Sequence, residues 1–106
     1  MRAFEIDQLI AEQAAGERPY HEFLRRDSMS LGLYALPAGG DDPQQPHHED
    51  EVYYIVSGQG QITVGEETKE VQRGSIVFVA AHVPHKFHDI TEDLKILVFF
   101  APAETD

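Results

Sequence analysis

The chain has 106 residues, no cysteine and no tryptophan, and its nineteen Asp+Glu against eight Lys+Arg give a formal charge of −11 with the histidines neutral. That length suits one domain, since each domain usually needs ~50–100 residues or more, and a hydrophobic content of 42% is that of an ordinary core. The acidic balance argues against nucleic-acid and anionic-membrane partners, and the missing cysteines exclude disulfides, thiolate catalysis, iron–sulfur clusters and thiolate-rich structural zinc.

Met1–Ile10 carries three charged residues and no apolar signal-peptide core, so a cytoplasmic protein is expected. The first element reads as a helix. Asp7 is the expected N-cap, Leu9, Ile10 and Ala14 form an apolar face, Gly16 is the stop, and Pro19 forbids continuation past Arg18. This lead-in, residues 1–19, precedes a β-rich body, residues 20–101, in a single domain. Short apolar or alternating runs follow at Tyr20–Leu24, Met29–Leu36, Val52–Val56, Gln61–Val64, Lys69–Val71, Ile76–Val79, Lys86–Ile90 and Lys95–Phe100. Turn chemistry separates them at Pro37–Gly40, Ser57-Gly58, Gly65-Glu66, Arg73-Gly74 and Ala81–Pro84. Many short strands with Gly/Pro turns predict an all-β sandwich or barrel. The longest apolar runs, Ile76–Ala81 and Ile96–Ala101, have six residues each. They are far short of the ~20 that span a bilayer and are expected to be strands buried on both faces. Gly39–Pro46 reads as a loop.

That loop runs into Gln45-Pro46-His47-His48-Glu49-Asp50-Glu51, at the head of an apolar strand. In an extended chain alternate residues face the same way, so Gln45, His47 and Glu51 share a face. A second cluster, His82-Val83-Pro84-His85-Lys86-Phe87-His88-Asp89, puts His85 and Phe87 on one face and His88 on the other. Two imidazoles and a carboxylate from two strands can make an open site for a divalent transition metal, suited to Fe, Mn, Ni, Co or Zn rather than Mg or Ca. His21 and His82 have no evident partner in the sequence. By parity Tyr53 and Ile55 share the face of Glu51, and Phe87 that of His85, so these three are the candidate substrate-pocket residues. Arg18, Arg25 and Arg26 form a cationic group that reads as solvent-exposed. No nucleophile elbow, dinucleotide fingerprint, phosphate loop or HExxH motif is present.

Gly40, His47, Glu51 and Gly58 resemble the first cupin motif, including the six residues between Glu51 and Gly58. Gly74–Val79 followed by Ala80–His85 resembles the second. The resemblance covers roughly Leu31 to Phe100 and implies a small double-stranded β-helix, or jelly-roll barrel, with a metal in its mouth. It implies His47, Glu51 and His85 as ligands, with Gln45 standing where the first motif histidine is usual and His48 in reserve. Ala80, His82 and Asp89 replace the usual proline, glycine and asparagine; His tolerates the left-handed conformation such a glycine position requires better than most residues do.

The expectation is a cupin holding one divalent transition-metal ion and acting on a small organic molecule. Dioxygenation and isomerase, epimerase or lyase chemistry are both open to it, since fold does not choose between them. The other reading is a non-catalytic module that binds or senses a small, sugar-like ligand. A homodimer is also expected, because so small a barrel buries little surface and the strands at Tyr20–Leu24 and Met29–Leu36 offer an open edge.

Overall fold

The computed structural model describes residues 1–105. Helix α1 spans Ile6–Ala15 and ends at Gly16. Its N-cap is Glu5 rather than Asp7; the Glu5 carbonyl accepts the N–H groups of Gln8 and Leu9, each at 3.1 Å. Asp7 lies inside the first turn, where its charge suits the positive helix end. The buried residues are Leu9 and Gln13, whereas Ala14 is exposed. Gln13 goes inward because its amide donates to the Arg18 carbonyl at 3.1 Å and caps the chain as it leaves the helix.

Among the described residues six strands follow: β1 Tyr20–Arg26, β2 Met29–Leu36, β3 Asp50–Val64, β4 Glu67–Gln72, β5 Ile76–Val79 and β6 His85–Ala101. All pairings are antiparallel, in the order β1-β2-β6-β3-β4 with β5 also on β3. Two expected pairs of strands are single long ones. Ser57-Gly58, expected as a turn, lies within β3, where the register against β6 shifts between Ile55 and Gln61. Such bulges bend a strand without ending it. Gly58 makes the bend possible: its φ is +99°, and any Cβ there would collide with the Asp93 carbonyl.

The bend closes the sheet on itself. Tyr53 and Ile62 are far apart on β3, about 30 Å along a straight strand, and Phe87 pairs with Ile62. Yet the rings of Tyr53 and Phe87 meet edge to face with centroids 4.9 Å apart. The enclosed core contains Leu36, Ile55, Ile62, Val71, Leu94, Ile96 and Val98 with those two rings. Most of the buried hydrophobic residues lie on this inner side, with Leu33 and Leu9 buried outside that cluster. Ile76 and Phe78 are 67% and 60% exposed, and Leu97 and Phe99 are only half-buried, which corrects the expectation of two-faced burial for their runs. Among the described residues α1 packs over β1 and β2.

Candidate metal centre

Glu51 is the second residue of β3 and shares the parity of the inward-facing Tyr53, and His85 is the first of β6 with its ring near that of Tyr53; Glu51 is 2% exposed. His47 joins them from the loop before β3. One donor atom from each of the three residues lies within 4.8 Å of the others. His85 Nε2 is 2.8 Å and His47 Nε2 3.9 Å from Glu51 Oε1. Both imidazoles present Nε2 to the centre. His85 Nδ1 donates to the Val83 carbonyl at 2.9 Å, and His47 Nδ1 faces Glu104 Oε2 at an ion-pair distance of 3.4 Å. The 2.8 Å approach of His85 to Glu51 is an ion-pair contact without hydrogen-bond geometry, and both Glu51 oxygens are buried without a hydrogen-bond partner. A buried carboxylate left so is costly. Two imidazoles, which would coordinate in their neutral form, and a carboxylate without a hydrogen-bond partner fit a divalent transition metal, which would satisfy those oxygens directly.

Burial lowers the pKa of His47 below its ordinary 6.5, although Glu51 pulls it upward. For His85 burial acts in the same direction, but the Glu51 carboxylate and the Val83 carbonyl outweigh it and hold its pKa above 6.5. Tyr53 sits beside both histidines' partner. Burial, then the negative charge of Glu51, pushes its phenol well above the ordinary value, so it keeps its proton.

The amide at the site is Gln44, not Gln45. Gln45 is exposed, whereas Gln44 Oε1 lies 3.1 Å from His47 Nε2 and 3.3 Å from His85 Nε2, and accepts the Tyr53 hydroxyl at 3.0 Å. Parity failed here because the chain through Pro43 and Pro46 is not an extended strand. The orientation of the Gln44 amide follows from its neighbour. Asp42, 3% exposed, accepts the Tyr34 hydroxyl at 2.7 Å, the Phe87 N–H at 2.9 Å and Gln44 Nε2 at 2.7 Å. An ionised carboxylate only accepts, so it takes the NH2 end and turns the oxygen toward the histidines. Asp42, Gln44 and Glu104 were not singled out from the sequence; a lone acid inside a loop or tail carries no periodic signal.

The reserve ligand His48 is exposed, with its ring against that of His82 at 5.3 Å, away from the centre. His82 adopts φ +69°, as its glycine-like position demands, and its N–H donates to the His47 carbonyl at 2.7 Å. His21 contacts Glu12 at 3.4 Å. His88 bridges Thr63 and Asp89 at 2.7 Å each, on the outer side. Beside the centre lies a cavity of about 180 Å³ lined by Tyr20, Tyr34, Gln44, Tyr53, Val98 and Phe100, with His47 and Glu104 at its polar side. Of the three expected pocket residues, Tyr53 lines it. Ile55 and Phe87 are fully buried core behind it, because the barrel interior and not the mouth takes that face. Arg18, Arg25 and Arg26 are exposed and do not line it; Arg25 pairs with Glu22 at 2.7 Å.

A family model described as the cupin domain matches residues 32–100. The chain belongs to the cupin family, and its fold is the double-stranded β-helix of that family. An uncharacterized protein of Streptomyces coelicolor is 57% identical over 105 residues, covering 99% of this chain and 100% of that one. The crystal structure of TT1209 from Thermus thermophilus is similar with TM-score 0.80 and 27% identity, over 97% of this chain and 99% of that one. DMSP lyase DddQ from Ruegeria pomeroyi is similar with TM-score 0.67 and 25% identity, over 72% of this chain but 39% of its own.

Proposed function

We propose that the chain binds one divalent transition-metal ion (Fe, Mn, Ni, Co or Zn) through His47, Glu51 and His85, with Gln44 Oε1 as a weaker fourth donor, and uses it to act on a small organic molecule. The observation that carries the reading is the buried Glu51 carboxylate, without a hydrogen-bond partner, facing two Nε2 atoms beside an accessible cavity. When bound, such an ion supplies a positive centre with open positions that polarises a substrate oxygen. The chain's own groups then divide the remaining work. Tyr53 holds a proton at its hydroxyl next to those positions and can donate it. Val98, Phe100 and Tyr20 keep water from the cavity wall. The volume of about 180 Å³ is close to a cavity that holds benzene and below the ~300 Å³ at which ligand pockets usually begin. That supports a compact substrate over a sugar-like one.

Tyr53, as a neutral acid, and the similarity to a DMSP lyase support isomerase, epimerase or lyase chemistry ahead of dioxygenation. Metal analysis of the chain purified without chelator tests the proposal, together with oxygen uptake on a panel of compact substrates. Near-stoichiometric metal and turnover without oxygen uptake are expected. Failure to retain or take up any of the five metals overturns it.

The homodimer belongs to the same proposal. Among the described residues β1 pairs only with β2, leaving an edge that a second copy can cover by a two-fold contact. An 11.9 kDa species in sedimentation at micromolar concentration and physiological salt counts against it. Among the described residues no helix is long and apolar enough to cross a membrane; cytoplasmic residence is part of the proposal.

A further inference from the structure

Beyond β6 the backbone passes through Pro102 into Ala103–Thr105, a segment without regular structure that is nonetheless tightly held. The Ala103 N–H donates to the Asp27 carbonyl at 3.4 Å and the Glu104 N–H to Ser30 Oγ at 3.0 Å. Arg25 donates to the Glu104 carbonyl at 2.9 Å. Thr105 donates its N–H and its hydroxyl to Glu49 Oε2, at 3.2 and 2.6 Å. Ser30 and Glu49 are 0% and 3% exposed, so two of the four anchors are buried groups, while Arg25 and Asp27 are exposed. The product of this fastening is one side chain: Glu104, half-buried on the cavity wall, with Oε2 3.4 Å from His47 Nδ1.

We propose that Glu104 is a positioning residue of the metal centre, and that the anchored segment Ala103–Thr105 exists to hold its carboxylate against His47. The proposal rests on the reading that His47 gives Nε2 to a metal. A neutral imidazole has one lone pair and one N–H, so a ring that offers Nε2 must carry its proton on Nδ1. His85 already has an acceptor for that proton in the Val83 carbonyl. His47 meets a competing choice, because its Nε2 lies 3.1 Å from the Gln44 oxygen and can donate there instead. A carboxylate opposite Nδ1 draws the proton to that nitrogen, clears Nε2 and makes it a stronger donor. Partners of this kind typically contribute 10–100-fold in metal affinity.

The test uses the full chain and Zn(II), titrated in competition with a chromophoric chelator. Glu104→Ala is expected to bind Zn(II) about 10–100-fold more weakly. Glu104→Gln, whose amide oxygen still accepts, should recover part of the loss, and Ser30→Ala, which loosens the segment, should lie between Gln and the parent. A purely structural role is separated by the His47 ring itself. In the Zn(II)-loaded parent its Nδ1–H should appear as an exchange-protected proton in NMR, persist in Glu104→Gln and vanish in Glu104→Ala. Should Glu104→Ala fold poorly, the Gln variant and Ser30→Ala carry the same comparison. Equal affinity together with an unchanged His47 resonance overturns the proposal. If the parent takes up no Zn(II), the reading of the site fails on its own. The nitrogen shifts of His47 in the metal-free chain then decide about Glu104: movement on Glu104→Ala supports its contact, and constancy removes it.

Discussion

The two sides of the metal centre are built on different principles. Glu51 and His85 stand on strands, and the ladder dictates their direction: Glu51 lies between Val79 of β5 and Phe100 of β6, and His85 opposite Val64 of β3. Gln44 and His47 stand on the stretch between β2 and β3, where no strand pairing holds them. That stretch is held by tethers from outside it: the Phe87 N–H and Tyr34 hydroxyl on Asp42, the His82 N–H on the His47 carbonyl, and Glu104 against the His47 ring. A strand fixes a ligand through many cooperative backbone bonds, so its position survives the loss of one. A tethered loop fixes a ligand through a few side chains, each separately removable. The strand side should therefore decide whether metal binds at all, and the loop side how tightly.

The largest effect is expected from the strand side. His85→Ala should abolish metal binding, a loss well beyond the roughly 10–100-fold that outer partners contribute. The chain should stay folded, because β6 keeps its ladder, but melt lower, because Glu51 loses its imidazole partner in a buried site. Calorimetric metal titration and thermal melting check both parts. Acid should remove the same ligand reversibly. His85 holds its proton more firmly than an ordinary histidine, so protons begin to compete with metal above pH 6.5, and affinity falls as pH drops through that range. His47, shifted the other way, should take up a competing proton only at lower pH. In the metal-free chain the sign for His85 reverses: its raised pKa stabilises the fold below the ordinary 6.5, and that contribution is lost as pH rises through the raised value. Affinity independent of pH across this window counts against His85 as a ligand.

The same division explains what the residues disclosed. The all-β class, the strand positions of Glu51 and His85 and the grouping of His47 with them were legible, because alternation and turn chemistry report local geometry that the ladder then enforces. What was not legible depends on contacts distant in the chain. Ser57-Gly58 has the composition of a turn, and only the approach of the Asp93 carbonyl makes it a bend inside one strand. Ile76 and Phe78 look like core, yet they are exposed: among the described residues the main packing partner of β5 is β3, beside it in the sheet. The choice between Gln44 and Gln45 turned on whether the chain was extended, and the glutamate of a C-terminal segment announces no relation to a histidine many residues earlier.

The last prediction concerns those two adjacent glutamines, where the comparison can be sharpened to a single atom. Gln44→Ala removes an amide oxygen that lies 3.1 and 3.3 Å from the two Nε2 atoms, and should weaken metal binding about tenfold, or ~1.4 kcal/mol. The loss should be modest because the amide is a neutral donor and water can take its place. It should also free Asp42 Oδ2 of one of its donors while leaving the Phe87 N–H in place, so the loop keeps its course. Gln45→Ala and Gln45→His, at an exposed position one residue further on, should leave affinity unchanged. Gln44→His should raise it, since imidazole is the better donor for these metals. Titrating Mn(II), Ni(II) and Zn(II) against the four variants separates the alternatives. A response at position 45 with none at 44 means that the loop in the metal-bound chain is shifted by one residue and that the extended reading was right after all. A response at 44 alone means that the Asp42 tether, and not strand parity, selects the fourth donor.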